Sequence, residues 1–400
     1  MKIGLIKERK TPPDSRVVLP PQQCKDLLEA FPALEISVES ADNRAFSDAE
    51  YRALGIPVVD DVSDCDVLLG VKEVPLDSLL PGKKYFFFSH TIKKQPYNRA
   101  LLQAILEKNI ELYDHETLTD VREKRLVAFG RYAGIVGAYN AFRAYGLKYQ
   151  SFQLPKATSL PTQQSLIEAL SAITLPPIKV VLTGKGRVSN GAKEMLDGMQ
   201  LREVSVHDFL HQTYQEPVYV QLDVLDYNKR TDGTVLDAQD FFTRPQDYHS
   251  DFMRFAKEAS IYIAGHFYAE GAPYIFSREA ARHPDCKIRV VGDISCDIDG
   301  PVACTLRAST IEDPVYGYDP ISETETDYRQ EHAIAVMAVD NLPCELPREA
   351  SRGFGESFAK HVIPSFFNQD KAGILQRARM TQQGALTERF GYLQDYVAGR

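Results

Sequence analysis

A chain of 400 residues is long enough for about two domains, and with 44% hydrophobic and 25% charged residues it can bury two cores beneath a solvated surface. Its net charge of −9 argues against nucleic acid as a partner, and no apolar run is long enough to span a membrane. The start, MKIGLIKERK, passes from an apolar strand straight to charges, and six scattered cysteines show neither a CxxC pair nor zinc spacing, so a cytoplasmic protein with reduced thiols is expected.

Ile3 to Ile6 reads as a first strand, followed by a turn at Pro12-Pro13-Asp14 and a helix from Gln22 to Phe31. Leu34 to Val38 alternates as a second strand, and Ser47-x-x-Glu50 reads as a capping box. The run CDVLLGV, Cys65 to Val71, has the near-continuous apolar character of a parallel strand covered on both faces, and it ends on Lys72-Glu73. A second such run, Tyr85 to Phe88, ends on Ser89-His90-Thr91. Two buried strands thus deliver titratable side chains to the C-terminal edge of one sheet, where ligands of α/β folds bind. Next come a helix from about Gln95 to Lys108, a strand from Ile110 to Tyr113 and a strand from Arg125 to Phe129, then a small-residue helix from about Tyr132 to Tyr145.

KVVLTGKGRVSNGAKEM, from Lys179 to Met195, reads as a buried strand, a glycine turn and a helix opening at Gly191-Ala192. Gly184-x-Gly186-x4-Gly191 is longer than the usual dinucleotide fingerprint, but glycines there let a pyrophosphate approach the amides of a helix N-terminus. Val204 to Val206 reads as the next strand, ending at His207-Asp208. Further strands end at Gly265-His266, Gly292-Asp293 and Asp340-Asn341, which brings Thr183, Gly265, Asp293 and Asn341 to one crevice. The expected fold is α/β, doubly wound. Its first domain spans 1–135 with C-terminal helices from about 350 to 400, and its second spans 136–349. The candidate cofactor-binding residues are Gly184, Gly186, Arg187, Val188, Gly191, His207, Asp208, Gly265, His266, Asp293 and Asn341.

Lys72 and His90 form the sharpest chemical pair, able to shuttle protons where a nitrogen must lose one as hydride leaves. Glu73 and Glu116 are placed to tune Lys72, and Arg16 and Arg125 to grip carboxylates bidentately. His207 and His211 lie at i, i+4 but lack an intervening catalytic glutamate and a third ligand, so no metal is expected. Asp208 is better used as the acid that hydrogen-bonds an adenosine ribose.

The motifs IGLIKERKTPPDSRVVLPP, GVKEVP, YFFFSHT, LYDHETLTD, RLVAFGRYAG, LTGKGRVSNGA, AGHFYAEGAPY, VGDISCDIDG and VDNLPCELPREAS run in order over most of the chain. In these the chain resembles the lysine-forming saccharopine dehydrogenases and the lysine–ketoglutarate reductase half of the bifunctional lysine-degradation enzyme, relatives of alanine dehydrogenase and the transhydrogenase N-terminal domains. The resemblance implies two Rossmann-like domains with substrate in an interdomain cleft, and reversible oxidation of saccharopine to L-lysine and 2-oxoglutarate. It implies acid–base roles for Lys72 and His90, carboxylate binding by Arg16 and Arg125, and modulation of the lysine by Glu73 and Glu116. The motifs lean to the reductase half, which the family pairs with NADP, but the chain departs from that enzyme in having no second module expected behind residue 400, so the expected cofactor is NAD, with NADP the alternative, in a monomer or small homo-oligomer. An alanine-type or other opine-type dehydrogenase is the competing enzyme reading, and a nucleotide-binding regulatory protein the non-enzymatic one.

Overall fold

The structure, a computed structural model, describes residues 1–12, 14–235, 237–268, 271–298 and 300–400. Pro13 of the first turn, Ala269 and Glu270 of AGHFYAEGAPY, and Asp299 of VGDISCDIDG lie outside the described residues. The chain divides into two compact units, 1–129 with 347–400, and 130–346.

In the first unit, β1 (Lys2–Leu5), β2 (Glu35–Glu39), β3 (Val58–Val59), β4 (Val67–Leu69), β5 (Lys84–Phe87) and β6 (Glu111–Asp114) form one parallel sheet in the order β3-β2-β1-β4-β5-β6. The apolar runs read as covered strands are so: Val67, Leu68, Leu69, Tyr85, Phe86 and Phe87 are all buried. Crossover helices α1 (Pro21–Ala30), α2 (Asp48–Ala53) and α3 (Arg99–Glu107) join the strands, and α2 starts at the expected capping box, Ser47 with Glu50. The order reverses between β1 and β4, which makes the end of these two strands the switch point of the sheet.

Arg125 to Phe129 is not a strand; it makes one isolated bridge, Thr119 to Arg125. Its buried Val127 and Phe129 have another cause. Phe129 stacks at 4.5 Å on Phe354 of the helix Pro347–His361, and the Arg16 guanidinium lies 4.2 Å from its ring centre. Alternating burial here reflects packing on a helix rather than pairing in a sheet. That same helix anchors the C-terminal segment in the first unit, where its Ser351 hydroxyl accepts the Val17 amide at 2.9 Å.

The second unit opens with α4 (Gly130–Tyr149) and α5 (Gln163–Ser171). The strand β7 (Lys179–Thr183) runs into α6 (Arg187–Gly198), then come β8 (Arg202–Glu203), α7 (Val206–His211) and β9 (Val218–Leu222). A small antiparallel ribbon, β10 (Asn228–Arg230) with β11 (Tyr248–Ser250), precedes β12 (Ile261–Ala264), β13 (Val290–Asp293), β14 (Val315–Asp319), β15 (Thr324–Thr326) and β16 (Ile334–Met337). The sheet order is β15-β14-β16-β13-β12-β7-β9-β8, with β14 antiparallel to β16 and to β15. Its switch point falls between β7 and β12, where Thr183 and Ala264 are paired and Ala264 is paired in turn with Asp293.

Two expectations change here. The helix opens at Arg187, not at Gly191, because Gly191 lies inside α6 and serves packing: a Cβ there would come within 2.0 Å of the Arg131 carbonyl oxygen of α4. The segment Val204 to Val206 is not the strand beside β7. Ser205 instead caps α7 by accepting the Asp208 amide, and β9 takes the place next to β7.

Candidate active site

At the first unit's switch point, the chain leaving β1 carries Glu8 and the chain leaving β4 carries Lys72. Glu8 is buried, and its carboxylate accepts the backbone amides of Val71 at 2.6 Å and Lys72 at 2.9 Å. Lys72 is half-buried, and among the described residues no hydrogen bond or ion pair holds its ammonium. One strand over, His90 follows β5 in the left-handed region (φ 54°), a conformation that non-glycine residues adopt mainly where function or packing imposes it.

Glu73 does not pair with its neighbour Lys72. Its carboxylate meets His90 Nδ1 at 2.6 Å and accepts from Lys10 Nζ at 2.6 Å. Burial alone would push this carboxyl up, but the bonds from His90 and Lys10 outweigh it and hold it at about 2. An ionised carboxylate can only accept, so His90 carries its proton on Nδ1 and presents Nε2 as the basic nitrogen.

Arg16 is almost wholly buried (3% exposed), gripped through Nε at 3.0 Å and Nη2 at 2.6 Å by the carboxylate of Asp14. Burial opposes the charge on Asp14, yet the Arg16 guanidinium beside it keeps its carboxyl well below the usual range. Arg125 lies 3.4 Å from Glu116 Oε1, while Glu116 Oε2 is buried without a hydrogen-bond partner among the described residues. Glu116 and Arg125 therefore face each other just beyond β6, at the same sheet edge as Lys72 and His90.

Deeper in this unit His115 is fully buried, bonded through Nε2 to the Gly70 carbonyl at 2.9 Å and ringed by Phe88, Phe354 and Phe358. Burial pulls its imidazole down to about 3 from 6.5. The folded form keeps it neutral while the unfolded chain protonates it, so stability is full above the unfolded value and lost as pH falls below it. His115→Phe is expected to remove that loss, about 2 kcal/mol between pH 6.5 and pH 5. Urea unfolding of both proteins at pH 7 and pH 5 checks it; equal pH shifts in the two would contradict it.

In the second unit, Gly184 takes a φ of 96°, and a Cβ there would sit 2.8 Å from His266 Cα. Gly186 caps α6 without a side chain, and the space where its Cβ would be is open. Thr183 Oγ1 meets His266 Nδ1 at 2.9 Å, while His266 Nε2 is buried without a partner among the described residues. Arg187, Val188 and Ser189 form the first turn of α6, and the Ser189 backbone lies 3.0 Å from where a Gly265 Cβ would be. An open glycine cradle at a helix N-terminus, beside an orphaned buried nitrogen, fits the pyrophosphate of a dinucleotide.

The remaining strand-end residues divide. Asp293 closes β13 fully buried, accepting from Ser295 and Thr305 hydroxyls at 2.7 and 2.6 Å; burial raises its carboxyl to about 6. Asn341 lies beyond β16 in the left-handed region, its Nδ2 2.9 Å from Cys344 Sγ. His207 and Asp208 stand on α7, where Asp208 accepts from Gln212 and the His207 carbonyl lies 2.7 Å from His211 Nδ1, so neither sits at the strand end beside β7. That place belongs to Asp223, directly after β9, whose carboxylate lies 3.7 Å from Lys185 Nζ of the glycine loop. Sequence reasoning overlooks Asp223, although VYVQL followed by Asp is itself an apolar run ended by an acid. It also overlooks Glu8, Lys10 and Asp14. All six cysteines are free thiols.

Residues 4–136 match the family described as "Alanine dehydrogenase/PNT, N-terminal domain". The alpha-aminoadipic semialdehyde synthase of Mus musculus is 27% identical over 95% of this chain but 46% of its own length, and the Arabidopsis thaliana protein of that name is 27% identical over 98% and 41%. The chain thus spans less than half of these relatives. The saccharopine dehydrogenase [NAD(+), L-lysine-forming] of Schizosaccharomyces pombe is 24% identical over 94% of this chain and 95% of its own. Among solved structures, an L-alanine dehydrogenase covers the whole chain with a TM-score of 0.64 at 18% identity, and the transhydrogenase of Sinorhizobium meliloti covers 96% of it at 0.62 and 15%. The chain is thus similar over nearly its whole length to the lysine-forming saccharopine dehydrogenases and the alpha-aminoadipic semialdehyde synthases, and it shares the fold of alanine dehydrogenase.

Proposed function

We propose that this protein catalyses the reversible, NAD-dependent oxidation of saccharopine to L-lysine and 2-oxoglutarate. The observation that carries the reading is Lys72 and His90 at the ends of the neighbouring strands β4 and β5, the first without an ion-pair partner among the described residues and the second oriented by an ionised Glu73. A proton acceptor for an amine and a second group that can move protons on water are what cleavage of a secondary amine requires.

NAD, when bound, supplies the acceptor for the hydride that leaves the carbon of the C–N bond. Lys72 Nζ, acting from its neutral amine form, accepts the amine proton and becomes an ammonium as that bond becomes an imine of the substrate. His90 Nε2 then takes a proton from the water that adds to the imine carbon and returns one to nitrogen as the C–N bond breaks. Glu73, ionised throughout, stabilises the imidazolium that forms in between, and Lys10 holds Glu73 in place. Arg16 and Arg125 bind the substrate carboxylates, and Glu116 sets the position of Arg125. In the second unit Gly184, Gly186 and the first turn of α6, with Arg187 and Val188, take the pyrophosphate.

Asp223 accepts the adenosine ribose hydroxyls, the role that its place after β9 suits better than that of Asp208 on α7. A carboxylate there repels a 2′-phosphate, whereas Lys185 beside it would attract one. Asp223→Ser is therefore expected to move the NADPH-to-NADH ratio of kcat/KM up by about tenfold, one like-charge contact's worth. Steady-state kinetics with both nucleotides measure this, and an unchanged ratio would remove Asp223 from nucleotide selection.

The function itself is tested by nucleotide absorbance with the purified protein, NADH and NADPH separately, using lysine plus 2-oxoglutarate and then pyruvate plus ammonia. Oxidation that requires both lysine and 2-oxoglutarate is expected. Turnover of pyruvate and ammonia would make this an alanine-type enzyme, and silence with every pair would overturn the reading.

A further inference from the structure

The backbone that carries Lys72 leaves the sheet directly before it, the Val71 carbonyl still accepting from the Phe88 amide at 3.0 Å. The Gly70 amide still donates to the Phe86 carbonyl at 2.9 Å, but the next two amides, of Val71 and Lys72, have left the ladder. Both point instead at the carboxylate of Glu8, one to each oxygen, at 2.6 and 2.9 Å. Glu8 is 8% exposed, and its own carbonyl accepts from Asn43 Nδ2 at 3.2 Å, which fixes the segment from the other side.

We propose that Glu8 is the positioning residue for Lys72, its two carboxylate oxygens fixing the backbone from which the lysine reaches the substrate. The inference rests on the reading of Lys72 as proton acceptor. Its geometry has a specific requirement: the two N–H donors meet different oxygens of one carboxylate, and in that arrangement both positions must be acceptors. A glutamine of the same shape offers one oxygen, and its NH2 would face the second N–H. Backbone amides that donate to a carboxylate make charge-assisted bonds, which are shorter and stronger than neutral ones. Removing the carboxylate frees the amides of Val71 and Lys72 while leaving the pairing of β4 and β5 and the whole second unit untouched.

The charges facing Glu8 come from the segment that follows it in the chain. Asp14 disfavours its ionisation and Arg16 favours it, while burial, the largest influence, raises its carboxyl to about 7 against the pull of the two amides. The grip on the Lys72 backbone therefore tightens as pH rises through neutrality.

The test compares wild type with Glu8→Gln, both as full chains. The expected result is a fall in kcat of about 10²-fold, the effect of a displacement near 1 Å, with KM for NADH unchanged. Hydrogen exchange at the Val71 and Lys72 amides should quicken in the variant while exchange in β5 stays as it was. A purely structural role would lower stability and speed exchange throughout the unit, but leave kcat per folded molecule intact; that result overturns the proposal. If wild type itself fails to turn over lysine and 2-oxoglutarate, the functional reading falls, and the exchange arm still decides whether Glu8 holds this backbone. Should Glu8→Gln not fold, amide NMR of wild type from pH 5 to 9 replaces it. The Val71 and Lys72 amide shifts are expected to titrate together, and flat shifts at both would overturn the assignment.

Discussion

Lys72→Met is expected to cut the oxidation of NADH by lysine and 2-oxoglutarate about 10³-fold while leaving the fold and nucleotide binding intact. The magnitude is that of a lost general acid–base group, which typically contributes 10²- to 10⁴-fold. The selectivity of the effect comes from how the side chain is held. No carboxylate is left orphaned when the ammonium goes, because among the described residues none is bonded to it. Methionine keeps the length and flexibility of the stem, and a half-buried substitution that breaks no bond changes stability by roughly 0.5 kcal/mol or less. His90→Gln should behave differently. It loses the basic Nε2 and also breaks the 2.6 Å contact with Glu73, so a partly buried carboxylate is left with Lys10 alone. Melting temperature separates the two variants: near wild type for Lys72→Met, lowered for His90→Gln. Fluorescence titration of NADH should give the same affinity in wild type and Lys72→Met. A Lys72→Met enzyme within a few-fold of wild-type rate would remove Lys72 from the chemistry, and with it the proposed mechanism.

The parts of this architecture legible in sequence are those where one physical cause dominates. Buried parallel strands must be apolar on both faces, so CDVLLGV and YFFF announce themselves, and the residues just after each run are delivered to the ligand edge. Lys72 and His90 are legible for that reason. The misreadings have competing causes. Val204 and Val206 are β-branched and flank a serine, which imitates a strand, but Ser205 uses its hydroxyl to start a helix, and helix capping outweighs β-propensity at that point. Arg125 to Phe129 alternates because a helix from the far end of the chain packs on it. Glu8 and Asp14 do not emerge from spacing at all. Glu8 meets its partners across more than sixty residues, and nothing local distinguishes it from the charged residues beside it in KERK.

The glycines of the second unit carry the other large expected effect, and it does not involve the nucleotide loop directly. Gly134 of α4 faces α6 so closely that a Cβ there would lie 1.8 Å from the Val188 carbonyl oxygen and 2.7 Å from the Ala192 amide nitrogen. Gly191 answers from α6, where an added Cβ would lie 2.0 Å from the Arg131 carbonyl oxygen. The atoms met are backbone on both sides, so no change of rotamer relieves the overlap and the helices must move apart. Gly134→Ala is therefore expected at or above the upper end of overpacking costs, about 3 kcal/mol, despite adding a single methyl and improving helix propensity. For a unit of this size that corresponds to a melting temperature lower by about 6–12 °C. Because the first turn of α6 is also the proposed nucleotide cradle, the displaced helix should weaken NADH binding although no loop residue has changed. Gly186→Ala is the internal comparison: it lies in the loop itself, but nothing stands within 4 Å of its Cβ position, so its melting temperature should stay near wild type. Calorimetry of the two variants decides the matter. If Gly186→Ala were the more destabilised, the glycines would be there for the turn; if Gly134→Ala is, the close approach of α4 and α6 is what sets the cradle in place.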